Sequence, residues 1–203
     1  MRAVVLNCSL KKSPAPSNTQ LLADVVVKAL EQRDVEVRTF RVVDHEVPPG
    51  VVTDLGEGDE WPQLHDELLN AEILVVATPT WVGHPSSIAQ RVIERMDAMI
   101  SEQDSEGRPV AYNRVAGVVV TGNEDGAHHV ISEVCGALGD IGYTIPGQAW
   151  TYWNMGPGPG PEYSDTVHGH QWSKSTGEAM AANLHAVATA LAKSPIPAPP
   201  SGD

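Results

Sequence analysis

Short apolar runs alternate with amphipathic helices along this chain, and that alternation limits the folds available to it. Apolar runs predict strands at residues 3–7, 35–40, 73–77, 115–121 and 143–145. Helical spacing of apolar side chains predicts helices at residues 19–31, 63–70, 86–99, 127–139 and 177–193, the last with Thr176 as its N-cap. Strands separated by helices pair in parallel through right-handed crossovers, which cover both faces of a sheet. We therefore predict an α/β fold, a three-layer sandwich around a five-stranded parallel sheet.

Length and composition fit one such domain. The 203 residues suffice for one sizeable core, and we predict a single domain over residues 1–193 followed by a Pro-rich, disordered tail at 194–203. The net charge of −13 disfavours nucleic acids and anionic membranes as partners. No apolar run approaches the roughly 20 residues of a membrane span. Two cysteines exclude a disulfide scaffold, and without an export signal we expect a cytoplasmic protein.

In open parallel sheets, ligands bind beyond the carboxyl ends of the strands. Residues 8–19, here the first loop, follow the first strand and enter a helix. Free backbone N–H groups and the positive end of the helix dipole meet there, beside hydroxyls and Lys11. The loop lacks the glycine patterns of nucleotide triphosphatases and dinucleotide folds, which favours one terminal monophosphate. A plain helix cap with solvated lysines explains the same residues about equally well.

Two further loops follow the third and fourth strands. The second loop, residues 78–87, carries Gly83 for close backbone approach and Trp81 as a flat surface, although a tryptophan there can also just cover the core edge. The third loop, residues 121–128, has two glycines, Gly122 and Gly126, that allow a turn. Its acidic residues Glu124 and Asp125 suit a helix N-terminus.

The second loop, Pro-Thr-Trp-Val-Gly-His-Pro-Ser-Ser, resembles the flavodoxin-like, NAD(P)H-dependent FMN reductases and their quinone-reducing branch. The first loop is similar to the phosphate site of that family, though two residues longer. The resemblance covers roughly residues 1–145 and implies the flavodoxin strand order 2-1-3-4-5. It implies FMN as cofactor and NADH or NADPH as reductant.

The resemblance also assigns residues to the flavin. The phosphate would be held by Ser9, Lys11, Ser17, Asn18 and Thr19. The ring would be lined by Pro79, Thr80, Trp81, Val82 and Gly83. The third loop is similar to the last flavin-contacting segment of the family, with Thr121, Gly122, Asn123 and Gly126 as candidates. Because the chemistry takes place at flavin N5, we name no catalytic side chain. An iron–sulfur cluster is not expected, since residues 41–63 contain no cysteine.

The remaining motifs are ambiguous. The aromatic residues around Trp153 have three comparable interpretations: the wall of a substrate pocket shared with Trp81, a subunit contact, or core packing. Neither histidine pair, His128-His129 or His168-x-His170, has a cysteine or carboxylate at convincing spacing, so no metal site is expected. Cys8 beside the first loop has either a lowered pKa or a plain core role.

The sequence thus predicts an FMN-dependent oxidoreductase that passes electrons from NAD(P)H to a quinone-like or other small acceptor. A homodimer or homotetramer is expected because flavin sites in the family often lie at subunit contacts. The main alternative is a flavodoxin-type electron carrier without enzyme activity, since the acidic surface suits basic redox partners. A third is an α/β interaction module that binds no FMN.

Overall fold

The computed structural model describes residues 1–200. Six strands are present: β1 (Arg2–Asn7), β2 (Glu36–Arg41), β3 (Ile73–Trp81), the short β4 (His84–Pro85), β5 (Val115–Gly122) and β6 (Trp150–Asn154). The helices are α1 (Asn18–Glu31), α2 (Trp61–Leu69), α3 (Ser87–Met96), α4 (Ala127–Ile141) and α5 (His170–Lys193). No helix among these residues is long and apolar enough to cross a membrane.

Five of the strands form one parallel sheet in the order β2-β1-β3-β5-β6, and β4 pairs antiparallel with the end of β3. Without that two-residue hairpin strand, the order is the predicted 2-1-3-4-5, and the predicted flavodoxin-like α/β fold is confirmed. Alternation along β1 shows how the sheet divides the core. Val4 and Leu6 pack toward α2, α3 and α4, whereas Ala3 and Val5 pack toward α1 and α5.

The fifth strand of the parallel sheet was predicted in the wrong place. Residues 143–145 supply one bridge, between Thr144 and Val115, and the strand itself is β6. The chain leaves the sheet after Thr144, turns, and rejoins it where Val118 donates its N–H to Ala149 O at 2.9 Å. A Cβ at Gly117 would lie 2.4 Å from that carbonyl oxygen, so a glycine is needed for this approach.

The last helix also begins earlier than predicted, at His170 instead of residue 177. Thr176 is inside the helix and donates to the carbonyls of Trp172 and Ser173, so it is not an N-cap. The N-cap is Gly169, at φ +73°. Gly177 lies against α1, where a Cβ would be 3.0 Å from Val25 Cγ1, and this close contact positions α5.

The Pro-rich tail is joined to the body of the protein by two hydrogen bonds between Asn113 and Ile196. The Ile196 N–H donates to Asn113 Oδ1 at 2.6 Å, and Asn113 Nδ2 donates to Ile196 O at 3.2 Å. Residues 201–203 of the predicted tail lie outside the described residues.

Candidate functional site

The first loop is fixed by contacts at its base and its flank. Asn7, fully buried at the end of β1, accepts the Ser9 N–H at 3.0 Å and donates to Gln20 Oε1 at 2.8 Å. Asp44 accepts from the Ser13 N–H at 2.9 Å and from its hydroxyl at 2.6 Å, and these bonds lower the pKa of the Asp44 carboxyl. Arg41 donates to Ala15 O at 2.7 Å. The loop is therefore held in place by contacts within the protein.

The N-terminus of α1 opens from this loop toward the cleft. Ser17 is the N-cap, and its hydroxyl oxygen accepts the Gln20 N–H at 3.1 Å. The cap interpretation of this serine is thus correct, but it leaves the hydroxyl proton available to donate. The N–H groups of Asn18 and Thr19 lie in the first helical turn, where no intrahelical acceptor exists. A cap and an anion site coexist here because they use different atoms.

The second loop is a tight hairpin between β3 and β4. Val82 and Gly83 both have left-handed backbone conformations, φ +52° and +77°, as a two-residue hairpin turn requires. Val82 donates its N–H to Glu124 Oε1 at 2.9 Å, and its side chain is 87% exposed. A β-branched residue in this conformation is strained. Trp81, just before the turn, is half-exposed.

The third loop packs directly against the other two. Thr121 and Thr19 share a hydrogen bond between their hydroxyls at 2.8 Å, which joins β5 to α1. A Cβ at Gly126 would lie 2.9 Å from the Gly83 Cα, so only glycine allows the second and third loops to touch there. Gly122 is similarly close to Thr80.

The three loops enclose one cleft at the carboxyl ends of β1, β3 and β5. Its volume is about 600 Å³ including the part open to solvent, which is in the range of small-molecule sites. Twelve residues named from the sequence line it: Ser9, Lys11, Ser17, Asn18, Thr19, Pro79, Thr80, Trp81, Thr121, Gly122, Asn123 and Trp153. Three others, Val82, Gly83 and Gly126, do not line it. They form the hairpin turn and the contact behind it.

Two hydroxyl groups of the cleft residues lack partners. Ser9 Oγ and Thr80 Oγ1 are buried, and neither has a hydrogen-bond partner among the residues the structure describes. An unsatisfied buried hydroxyl costs about 1 to 3 kcal/mol, so a polar ligand that reaches these atoms recovers that free energy. Together with Lys11 and the N-terminus of α1, these groups fit a phosphorylated, polar ligand such as FMN.

The segment at residues 160–162, whose role the sequence left open, covers one side of the cleft. Glu162 accepts from Asn18 Nδ2 at 2.8 Å and from Asn123 Nδ2 at 3.2 Å, and so bridges the first and third loops. The Gly160 N–H donates to Asn123 O at 2.8 Å. Glu162 therefore places a carboxylate at the wall of the cleft, beside the N-terminus of α1. No local pattern in the sequence signals this contact, since Glu162 is 144 residues from Asn18.

The aromatic segment contributes both to the core and to the cleft. Trp153 and Tyr163 line the cleft, are almost fully buried, and meet edge to face at 5.4 Å between ring centroids. The Trp153 indole N–H donates to His168 O at 2.7 Å, and His170 stacks on Tyr163 at 3.9 Å. The core-packing and pocket-wall interpretations of Trp153 are thus compatible.

Cys8 is not activated by the first loop. The side chain is completely buried, and this burial raises the pKa of its thiol far above the ordinary value. Burial also raises the pKa of Cys135 to about 11. The suggestion of a lowered pKa for Cys8 is wrong, because burial of the thiol raises it.

Comparison with known proteins also connects this chain with FMN. The family model for NADPH-dependent FMN reductases matches residues 1–155. The 8-demethyl-8-aminoriboflavin-5′-phosphate synthase of Streptomyces davaonensis is 37% identical over 173 residues, which are 80% of this chain and 67% of that protein. A divalent metal cation transporter, MntH, of Mycobacterium bovis is 41% identical over 173 residues. This match covers 83% of the chain but only 25% of the transporter, so the chain spans about a quarter of that relative.

Solved structures extend the likeness to the whole fold. RosB with bound intermediate 8-demethyl-8-formylriboflavin-5′-phosphate has a TM-score of 0.88 and 34% identity, covering 97% of this chain and 82% of RosB. An NADH:FMN oxidoreductase in its apo form has a TM-score of 0.62 at 17% identity, with 90% and 89% covered, and shows the fold alone. On the family match over residues 1–155 and these relatives, the chain belongs to the NADPH-dependent FMN reductase family.

Proposed function

We propose that this protein is an oxidoreductase that binds FMN in the cleft of the three loops, takes hydride from NAD(P)H and reduces a small, planar acceptor of the quinone type. The observation that carries this proposal is the pair of unsatisfied hydroxyls, Ser9 Oγ and Thr80 Oγ1, in residues that line a preformed cleft beside a helix N-terminus. Membership of the FMN reductase family supports the cofactor. The nucleotide preference and the acceptor are parts of the proposal.

The first loop binds the phosphate in this proposal. Lys11 contributes positive charge in a protein of net charge −13, and the N–H groups of Asn18 and Thr19 donate along the α1 dipole. The Ser17 hydroxyl donates while its oxygen stays in the cap. Asp44 and Arg41 hold the loop from behind, which reduces the entropy lost when the phosphate binds.

The second and third loops bind the ring. Pro79 and Thr80 line the cleft beside Gly122, where a Cβ would lie 3.0 Å from Glu124 O and 3.1 Å from Thr80 Cβ. Trp81, which is 52% exposed, bounds the open side of the cleft and offers a flat surface for an incoming planar molecule. Bound FMN would supply the hydride chemistry at N5. The protein orients the nucleotide and the acceptor at that face and limits the access of water.

The test is an absorption spectrum of the purified protein, followed by anaerobic titration with NADH and NADPH. We expect a noncovalent flavin that co-migrates with FMN after release by heat, and bleaching of its absorption by at least one of the nucleotides. Recovery of FAD alone overturns the cofactor. If FMN is bound but neither nucleotide reduces it at millimolar concentration, the reductase proposal fails and the protein is better explained as an electron carrier. A colourless protein that takes up no FMN leaves the interaction module.

Lys11 and Lys12 offer a matched pair for the phosphate site. Lys11 lines the cleft, whereas Lys12 lines a different depression beside Val42 and His45. We expect Lys11→Ala to weaken FMN binding about tenfold, because a charge-assisted hydrogen bond contributes about 1.5 to 3 kcal/mol. Lys12→Ala has the same net charge and should retain the affinity. Equal losses in both variants indicate a nonspecific charge effect and contradict the assignment of Lys11.

A second candidate function follows from the relatives. One is named an 8-demethyl-8-aminoriboflavin-5′-phosphate synthase, and RosB holds a formyl derivative of riboflavin-5′-phosphate. In such an enzyme the flavin phosphate is the substrate and leaves chemically changed. Mass spectrometry of the flavin recovered after aerobic incubation with FMN and an amine donor separates the two functions. An unchanged mass supports a cofactor; an amino-substituted flavin supports a synthase.

A further inference from the structure

Three side chains with metal-ligand chemistry meet outside the cleft, on the far side of the hairpin. His84 lies on β4, and His129 and Glu133 lie one turn apart on α4. Glu133 Oε2 is 3.4 Å from His84 Nδ1 and 3.5 Å from His129 Nε2. One ligand atom from each of the three residues lies within 4.8 Å of the others. The two imidazoles and the carboxylate therefore surround one point.

The two distances to Glu133 Oε2 match the edges of a tetrahedral metal site. A zinc ion with ligand bonds of about 2.0 to 2.2 Å places neighbouring ligand atoms about 3.3 to 3.6 Å apart. Both contacts to Glu133 Oε2 lie in that range. We propose that His84, His129 and Glu133 form a binding site for a divalent transition metal of the zinc type. Water completes the coordination, because all three side chains are accessible to solvent.

The ligand set decides which metals fit. Two imidazole nitrogens with one carboxylate oxygen suit zinc and its neighbours in the first transition row. Magnesium and calcium need several oxygen ligands and are not selected by this set. The high negative charge of the protein raises the local concentration of any cation.

The structure explains why this site was not expected from the sequence. His129 seemed to lack a partner carboxylate, but Glu133 is four residues later, on the same face of a helix that was predicted. The third ligand, His84, comes from 45 residues before His129 and reaches it through the contact of Gly83 with Gly126. The two histidine rings lie edge to face with centroids 4.9 Å apart. Only the folded hairpin brings the three residues together.

Binding at this site would tie the hairpin to α4. His84 directly follows the strained turn of Val82 and Gly83, which otherwise contacts the third loop through Gly126 and through the hydrogen bond of Val82 to Glu124. A metal adds a link that the unfolded chain lacks, so it should raise the thermal stability of the folded protein. This inference does not depend on the proposed reaction, since all three ligands lie outside the cleft lining.

The test measures zinc binding to the tag-free protein, with and without FMN, by competition with a chromogenic chelator. We expect one equivalent of zinc at micromolar affinity, a higher midpoint of thermal unfolding in its presence, and no comparable effect of magnesium. His84→Ala, His129→Ala and Glu133→Gln should each weaken zinc binding at least tenfold and remove the thermal shift. Circular dichroism of each variant without metal checks that it is folded.

His128 provides the matched control. It is an exposed histidine next to His129, but its ring packs against Tyr152 at 4.9 Å between centroids. His128→Ala should bind zinc as the unchanged protein does. Absence of zinc binding at micromolar concentration overturns the proposal. So does a stoichiometric zinc that survives in His84→Ala and Glu133→Gln, because the ion is then held elsewhere.

Discussion

At the scale of single residues, the cleft shows which site members a sequence can reveal. Ser9, Ser17 and Thr80 could be named because each lies at the end of a predicted strand or the start of a predicted helix, where the fold class alone places a ligand. Glu162 could not be named, because long-range packing brings it there. The positions of the three loops follow from local sequence patterns. The contact of Glu162 with them does not, because it joins residues far apart in the chain.

We predict that removal of the unsatisfied Ser9 hydroxyl leaves the protein at least as stable but weakens its binding of FMN. Ser9→Ala removes a buried polar atom that has no partner among the described residues. We therefore expect the free energy of unfolding of the FMN-free protein to stay unchanged or rise. The affinity for FMN should fall about tenfold, since the ligand loses a donor. Denaturant unfolding and flavin fluorescence titration measure the two quantities.

Ser132 is the control for that experiment. Its exposed hydroxyl on α4 donates to His128 O, away from the cleft. Ser132→Ala should leave FMN affinity unchanged. A Ser9→Ala protein that loses stability and keeps its affinity would identify the Ser9 hydroxyl as a structural group.

We predict that neutralising Glu162 raises the affinity for FMN. Its carboxylate lies at the wall of the cleft and accepts from Asn18 and Asn123, so a bound phosphate would feel its negative charge. We expect Glu162→Gln to bind FMN several-fold more tightly at low ionic strength and to lose most of this gain in concentrated salt. Glu178→Gln, an exposed substitution of equal charge on α5, is the control. Weaker binding by Glu162→Gln would instead show that its two hydrogen bonds close the cleft.

At the scale of whole elements, periodicity predicted the alternation of strands and helices and the family resemblance implied the sheet order, but β6 and the start of α5 were not predicted. The residues of α5 before Gly177 include His170 and Ser173, which are poor helix formers, while Thr176 resembles an N-cap. In the structure Ser173 is buried, and the Thr151 hydroxyl donates to its carbonyl oxygen at 2.8 Å. Tertiary packing therefore extends the helix beyond its local signals.

We predict that a substitution at Val82, in the β3–β4 hairpin, stabilises the protein. Val82 is a β-branched residue at φ +52° with an exposed side chain, so its conformation costs about 1 to 2 kcal/mol and little packing offsets it. Val82→Gly should raise the midpoint of thermal unfolding of the FMN-free protein. Val51 is also exposed but is not in the left-handed region, and Val51→Gly should lower the midpoint. Destabilisation by both substitutions would show that the Val82 side chain contributes contacts that outweigh the strain.

At the scale of the whole molecule, two helical layers isolate the interior of the sheet from solvent. The two cysteines differ in how deeply they are buried in it. Cys8 is fully buried at the carboxyl end of β1, and Cys135 is partly buried on α4. Burial raises the pKa of both thiols, to about 11 for Cys135, so both are protonated at pH 8. Neither cysteine should react quickly with alkylating reagents in the folded state.

Cys8 therefore reports the opening of the whole sheet in a Cys135→Ala variant. The Cys8 N–H donates to Ala77 O at 2.7 Å and its carbonyl accepts from Ser86 Oγ at 2.6 Å, so exposure of the thiol requires β1, β3 and the start of α3 to separate. Alkylation should then proceed only through unfolding, accelerate in denaturant, and follow the equilibrium population of the open state. FMN at about 100 times its dissociation constant should slow the reaction about 100-fold, because the ligand binds only the folded cleft. Mass spectrometry of quenched samples measures the rate. A fast reaction that is independent of both FMN and denaturant would mean that Cys8 is reached by a local motion of the first loop, and that the loop is not rigid before the ligand binds.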